Sequence, residues 1–269
     1  MRCKFCFATF QNVDAPFALP AGHLPEAQAV QVVRELATYG FQKINFVGGE
    51  PTLCPWLPTL IRIAHQEGMT TSIVTNGSRL TTRFLEENQP YLDWIGVSID
   101  SLSKTVNLES GRAINGRRTL SHEAYRTLFD TIKTYGYRSK INTVVHRLNH
   151  LEDLTDFIDY AAPERWKVFQ VLRMKGENDT CFDRFEISDR EFQSYLDRHR
   201  GCSVLVAEDN EAMRDSYVMI NPAGQFFDNG TGRLREGPGI TEVGIEQAIQ
   251  PMHYSWEKFR HRGGVYDWA

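Results

Sequence analysis

Apolar positions recur along this chain with two alternating periods. Over Glu26–Tyr39 the residues Ala29, Val32, Val33 and Leu36 fall on one helical face, and Gly40 follows as a stop. A short β-type run at 43–47 comes next, then Gly48-Gly49-Glu50-Pro51, which holds too many breakers for the interior of a helix or strand. The alternation continues. The spacing predicts a helix over 57–67 ended by Gly68, a strand over 71–75 closed by Asn76-Gly77, and a helix over Thr82–Asn88. A strand over 94–99 carries Asp100-Ser101 at its end, and a longer helix over 122–135 starts behind Ser121 as a cap. Strands over 140–145 and 166–172 flank a segment at 151–160. This order predicts an α/β fold with a parallel sheet.

Beyond Leu172 the rhythm changes. A polar loop at 176–179 leads to a helix near 189–200 and a strand over 203–206. Runs at 217–220 and 225–227, joined by Asn221-Pro222-Ala223-Gly224, read as an antiparallel hairpin. No linker rich in Gly, Ser or Pro divides the chain, so the expectation is a single domain over 1–269: a barrel over about 1–206 and a C-terminal extension over about 207–269. Six βα-like units fall short of the eight of a closed barrel, which favours an open, partial (β/α)6 barrel over a doubly wound sheet. In either architecture chemistry sits at the C-terminal ends of the parallel strands, where Gly48 to Pro51, Asn76-Gly77 and Asp100-Ser101 all lie.

Composition narrows the class. The chain has 269 residues, with 41% hydrophobic and 24% charged positions, values that exclude disordered, collagen-like and coiled-coil sequences. No stretch approaches the roughly 18 apolar residues of a spanning helix, and no signal-peptide pattern opens the chain, so a cytoplasmic protein without a membrane partner is expected. Lys and Arg number 30 against 34 Asp and Glu, a net charge of −4, which argues against broad non-specific binding to nucleic acid. Five cysteines, Cys3, Cys6, Cys54, Cys181 and Cys202, make an odd count that does not suit a disulfide framework.

Cys3-Lys4-Phe5-Cys6 admits a redox dithiol, half of a zinc site or part of an iron–sulfur motif, beside the bland reading of two buried thiols, and spacing does not choose among them. The two glycines of Gly48-Gly49-Glu50 allow close backbone approach by a ligand, and Glu50 offers a carboxylate to an ammonium group. Side chains alternate along a strand, so Lys140 and Asn142 share one face, Arg165 and Lys167 share another, and Lys43 and Asn45 a third. Cations pointing into a barrel are costly unless an anion meets them, and a triphosphate would do so. The competing reading has these residues at strand ends, reaching solvent. His23, His65, His146 and His150 are scattered and read as surface or packing residues.

Cys3-Lys4-Phe5-Cys6-Phe7 followed by Gly48-Gly49-Glu50-Pro51 resembles the radical S-adenosylmethionine (SAM) enzymes, whose signature is C-x-x-x-C-x-x-C followed by GGEP. Cys3 and Cys6 match the second and third ligands of a 4Fe–4S cluster; the first would lie upstream of Met1, so the expectation is a chain truncated within the motif. The further segments Lys43-Ile44-Asn45-Phe46-Val47, Ser72-Ile73-Val74-Thr75-Asn76-Gly77-Ser78, Lys140-Ile141-Asn142, Arg165-Trp166-Lys167, Asp215-Ser216-Tyr217 and Arg262-Gly263-Gly264 are together similar to the viperin-like branch, over nearly the whole chain.

That resemblance implies a 4Fe–4S cluster and SAM as cofactors, a reductant protein and iron–sulfur delivery machinery as partners, and a ribonucleoside triphosphate as substrate. The reaction implied is loss of water from the nucleotide after hydrogen abstraction at C4′. Its product is the 3′-deoxy-3′,4′-didehydro analogue, a terminator of viral RNA synthesis. It places Gly48, Gly49, Glu50, Asn76, Ser98 and Arg112 around SAM, and Lys43, Asn45, Lys140, Asn142, Arg165, Lys167 and Tyr217 around the nucleotide. No side chain need act as a nucleophile. CTP is the leading substrate, with UTP and GTP open because Val47 stands where animal relatives carry serine. The tail Arg260 to Gly264 could fold over the triphosphate, and Trp268 matches an aromatic position linked to cluster delivery. Two alternatives are a radical SAM enzyme acting on another phosphorylated small molecule and a catalytically inactive nucleotide-binding protein.

Overall fold

The computed structural model describes residues 1–10 and 22–268. Six strands, β1 (Lys43–Phe46), β2 (Thr70–Thr75), β3 (Trp94–Ser98), β4 (Arg138–Val145), β5 (Arg165–Gln170) and β6 (Leu205–Glu208), pair in chain order, all parallel. Helices α1 (Glu26–Tyr39), α2 (Leu57–Gln66), α3 (Thr82–Asn88), α4 (Lys104–Ser110), α5 (His122–Thr134), α6 (Thr155–Ala161) and α7 (Asp189–Arg198) precede and connect them. This is the open (β/α)6 arrangement expected. Strand order 1 to 6 leaves β1 and β6 as edges.

Local chemistry explains the element ends. Gly40, at φ +107°, closes α1: its N–H donates to Ala37 O, and the following Phe41 N–H donates to Leu36 O. Ser121 caps α5 through Ala124 N–H, and Ser188 with Glu191 forms a reciprocal box at the start of α7. The sequence pattern missed α4, a short polar segment between Ser103 as its cap and Gly111.

The two faces of the sheet differ in kind. Ile73, Ile95, Val97, Ile141, Val145, Trp166 and Val168 face outward and are buried under Ile61 of α2, Phe129 of α5, Phe157 of α6 and Tyr195 of α7. Between them, on the inner face, lie Ser72, Gly96, Lys140, Asn142, Arg165 and Lys167. A closed barrel fills its interior with branched aliphatic side chains; this one lines it with polar groups. The hydrophobic effect therefore holds the helices on the outer face and leaves the interior available for chemistry.

After β6, a short helix α8 (Asn210–Met213) leads into an antiparallel sheet of β7 (Met219–Ile220), β8 (Gln225–Asp228) and β9 (Arg235–Gly239). The hairpin was legible; β9, with Gly237, Pro238 and Gly239, was not. Helices α9 (Ile240–Val243), α10 (Ile245–Ile249) and α11 (Trp256–His261) follow. Phe226, Ile240, Ile245 and Ala248 pack on Val32 and Leu36 of α1, so the extension docks beside β1. Gly224 is needed at this contact: its φ is +76°, and a Cβ there would lie 2.7 Å from Leu24.

Candidate active site

Parallel register places inner-face residues in rows across the strands. One row runs Asn45, Ser72, Trp94, Arg138; the next Val74, Gly96, Lys140, Arg165; the next Ser98, Asn142, Lys167, Val206; and a last one Val144, Phe169, Glu208. The expected grouping of Lys140 with Asn142 and Arg165 with Lys167 holds, and the two pairs are direct neighbours. Asn45 shares their face but is exposed on edge strand β1.

Lys140 is buried and spans β3 to donate to Ser72 Oγ at 3.0 Å. Gly96 makes this path possible, because a Cβ there would lie 2.7 Å from Lys140 Cε. Burial pushes the Lys140 ammonium well below its ordinary pKa, with Lys43, Lys167 and Arg165 adding repulsion. Lys43 Nζ donates to Tyr266 Oη and lies 5.3, 4.3 and 5.4 Å from the ring centroids of Trp94, Tyr266 and Trp268. Its pKa falls to about 7, chiefly through burial and then through Arg165, Lys167 and Arg138. Arg165 is buried, donates to the Gly263 carbonyl and stacks 4.1 Å from the Tyr266 ring. Its Nε, like Asn142 Oδ1, is buried without a protein partner among the described residues. Such orphans cost roughly 1–3 kcal/mol each unless a ligand or water meets them.

Lys167 donates to Tyr217 Oη at 2.8 Å and to Glu208 at 2.5 Å. Tyr217 donates in turn to Glu208, and Arg262 meets the same carboxylate at 3.3 Å with its guanidinium 3.7 Å from the Tyr217 ring. Glu208 was not singled out from the sequence, since it sits in no motif; Arg262 lies in the Arg262-Gly263-Gly264 segment, but its pairing with Glu208 joins residues far apart along the chain. The tail packs against the cationic end of the inner wall. Gly263, Tyr266 and Trp268 lie against the first residues of β1, β3 and β5, with the Trp268 carbonyl accepting from Trp94 Nε1 at 2.9 Å. It closes the N-terminal end of the barrel.

At the opposite end, Gly48 (φ +128°) and Gly49 follow β1, and no atom lies within 4 Å of a Cβ built on either. Glu50 is held by four donors: Thr52 N–H at 3.3 Å and Oγ1 at 2.6 Å, Thr75 Oγ1 at 2.6 Å and Asn76 N–H at 2.9 Å. Glu50 and Asn76 are thus brought together at the ends of β1 and β2. Ser98 ends β3 beside Asn142. Arg112 is buried and paired with Asp100, a partner not anticipated from the sequence. Burial opposes the Arg112 charge and Asp100 outweighs it, so the cation is held above its ordinary range. Asp100 is itself fixed by Val144 N–H at 2.9 Å.

Cys3 and Cys6 flank a tight turn in which Cys6 N–H donates to Cys3 O at 3.2 Å. Lys4 N–H donates to Ser110 O at 2.9 Å on one side, and Asn178 Nδ2 donates to Phe5 O at 3.0 Å on the other. Burial raises both thiol pKa values while the nearby Arg112 lowers them. Two thiols on a pinned loop beside a cation suit two thiolate positions of an iron–sulfur cluster. Among the described residues no three His, Cys, Asp or Glu side chains form a metal-binding group. Cys54, Cys181 and Cys202 are free thiols, and His146 packs on Phe5 and Phe185 as a core residue. No helix among the described residues is long and apolar enough to cross a membrane.

Comparison with known proteins identifies this architecture. The Radical SAM superfamily profile matches residues 1–161. An S-adenosylmethionine-dependent nucleotide dehydratase of Lacinutrix mariniflava is 54% identical over 268 residues, covering 100% of this chain and 56% of its own length. One of Flammeovirga pacifica is 51% identical, covering 100% of this chain and 92% of its own. The S-adenosylmethionine-dependent nucleotide dehydratase RSAD2 of Oncorhynchus mykiss is 36% identical over 279 residues, with 100% and 77% covered. Among solved structures, anSMEcpe with bound AdoMet and the Cp18Cys peptide superposes with a TM-score of 0.67 at 13% identity, covering 99% of this chain and 81% of that one. Streptococcus suis SuiB bound to S-adenosylmethionine gives 0.60 at 17% identity, covering 83% and 56%. These two share the fold. Radical SAM enzymes use a 4Fe–4S cluster and SAM, and by its relatives this chain belongs to that superfamily and, within it, to the viperin-like S-adenosylmethionine-dependent nucleotide dehydratases.

Proposed function

We propose that this protein dehydrates a ribonucleoside triphosphate, CTP first and UTP or GTP as alternatives, to its 3′-deoxy-3′,4′-didehydro form, with an antiviral role for the product. The observation that carries the reading is the buried row of Lys140 and Arg165 with Lys43 beside it. These three cations have no carboxylate within ion-pair distance among the described residues. Only a polyanionic ligand matches that much inward positive charge. We read the chain as one domain, with the barrel over about 1–206 and the extension over about 207–269; the extension supports the site by supplying Tyr217 and Arg262.

The same geometry gives the substrate a direction. Lys43, Lys140 and Arg165 lie in the first halves of their strands, whereas Gly48, Glu50, Ser98 and Arg112 lie at or beyond the C-terminal ends. Phosphates pointing to the tail end leave the ribose facing the SAM end. Asn142, one row above Lys140 with a free Oδ1, is suited to a ribose or α-phosphate group at the junction.

The cluster and SAM, held by Cys3, Cys6 and the Gly48–Glu50 segment, would supply the hydrogen-abstracting radical. The chain's own residues position. Glu50, fixed by four donors, presents an oriented carboxylate edge to the methionine ammonium, and Arg112, fixed by Asp100, offers its remaining N–H groups to the methionine carboxylate. Tyr266 and Trp268 exclude water from the phosphate end. The test is 5′-deoxyadenosine formation by the full-length protein, reconstituted anaerobically, in the presence of each ribonucleoside triphosphate. Acceleration is expected with at least one, and none with any would reject the assignment.

A further inference from the structure

Positive charge is not confined to the inner wall. The chain has a net charge of −4, yet the surface around the Cys3–Cys6 turn is basic. Arg2 and Lys4 are exposed on the turn itself, Lys104 at the start of α4, and Arg117, Arg118 and His122 on the segment leading from α4 into α5. Nearby carboxylates are already engaged: Asp100 by Arg112, Glu109 by Arg184 and Asp183 by Arg173. Glu123, in the first turn of α5, offsets part of the excess. Lys104, Arg117 and Arg118 have no ion pair among the described residues.

Backbone contacts tie this surface to the two thiols. Lys4 N–H donates to Ser110 O, and Arg2 O lies so near Gly111 that a Cβ there would be 2.4 Å from it. Ile114 follows three residues later, at most about 11 Å away. It pairs antiparallel with Arg118 through N–H···O bonds of 2.7 and 3.2 Å, and Asn115 (φ +51°) and Gly116 (φ +69°) turn the chain between them. Arg117 and Arg118 therefore stand on a fixed hairpin beside the Cys3–Cys6 turn, and with Lys104 and His122 they line an open cleft. None of the buried, unpartnered polar atoms of the molecule belongs to that cleft, so it lacks the desolvated donors that would hold a small anion. Solvated cations spread over a hairpin and a helix end suit a large acidic surface, which they steer and orient.

We propose that Lys104, Arg117 and Arg118, with Arg2 and Lys4 at the rim, form the docking surface for an acidic one-electron donor protein. The donor is oxidised by one electron, which passes toward Cys3 and Cys6; no bond forms or breaks across the interface and no proton moves with it. The proposal rests on the reductive chemistry of the superfamily and not on which nucleotide is dehydrated.

Flavodoxin, an acidic one-electron donor, is the probe. Calorimetry with the anaerobically reconstituted, full-length protein should show binding that weakens as salt rises from about 20 to about 200 mM. Arg117→Glu combined with Arg118→Glu should weaken it at least about tenfold at low salt and flatten the salt dependence. Cluster reduction, followed optically, should slow to a similar degree with reduced flavodoxin and stay within about twofold with dithionite, which needs no docking surface. Unchanged flavodoxin affinity in the double variant would overturn the proposal, as would equal slowing with dithionite or no binding by the unmodified protein at low salt. Should the double variant not fold, Lys104→Glu carries the test: a loss of about threefold is expected, and no loss overturns it. No nucleotide enters these assays. Failure of every ribonucleoside triphosphate to accelerate 5′-deoxyadenosine formation would therefore reject the proposed function and leave the docking surface standing.

Discussion

The two ends of this barrel solve opposite problems. At the C-terminal strand ends, charged groups are already answered: Glu50 by Thr52, Thr75 and Asn76, and Arg112 by Asp100. Toward the N-terminal ends, Lys43, Lys140 and Arg165 are buried or half-buried with neutral partners only. The first end is preorganised, so a ligand meets side chains whose orientation does not change on binding. The second holds unfavourable charge that a ligand relieves. Binding free energy therefore concentrates at the phosphate end, and orientation at the SAM end.

The sharpest way to break this contrast is to remove a cation from the unanswered end. Arg165→Met should weaken ribonucleoside triphosphate binding by about 3 kcal/mol, roughly a hundredfold in Kd, while leaving SAM binding within about twofold. Calorimetry with each ligand measures both. An equal loss for SAM would mean that the two ends are not separable.

A second effect follows from Lys43, whose pKa is near 7 in the ligand-free protein. A bound polyanion favours the charged ammonium and raises that pKa, so binding above pH 7 takes up a proton. Affinity should be full below about pH 7 and decline as pH rises, by at most about tenfold per unit. Titrations in buffers of different ionisation enthalpy detect the proton directly. Lys43→Arg, whose charge does not titrate, should remove the part of the uptake that Lys43 carries and leave the part carried by Lys140, itself held well below its ordinary pKa by burial.

The smallest expected effect is steric. Gly96→Ala would push Lys140 off the path to Ser72, because the new methyl would lie 2.7 Å from Cε and 3.1 Å from Cγ. The loss should be about 1 kcal/mol of triphosphate binding, without effect on SAM. A thermal melt separates this from a folding defect.

What could be read from the sequence follows physical range. The period-2 alternation that pairs Lys140 with Asn142 and Arg165 with Lys167 is local, and the register places the two pairs side by side. The helix ended by Gly40 and the turn at Asn76-Gly77 are local as well. Asp100 as the partner of Arg112, and Glu208 as the shared partner of Lys167 and Arg262, depend on which strands and tail segments meet in space. No spacing along the chain encodes that. Gly96 matters because the Lys140 side chain crosses it, a contact that no local spacing encodes. The basic residues of the tail suggested a cover over the phosphates; what holds the tail against Lys43 and Arg165 is the aromatic side chains of Tyr266 and Trp268, which no local spacing announces. Strand β9 escaped notice because its Gly-Pro-Gly stretch is held by pairing with β8 and not by propensity.

In the proposed function, phosphate charge seated at the N-terminal end delivers the ribose to SAM. Its most direct test compares each ribonucleoside triphosphate with its own nucleoside as a stimulant of 5′-deoxyadenosine formation in the anaerobically reconstituted, full-length protein. Acceleration is expected with a triphosphate and none with the nucleoside at the same concentration. Equal acceleration by both, or by neither, would contradict it.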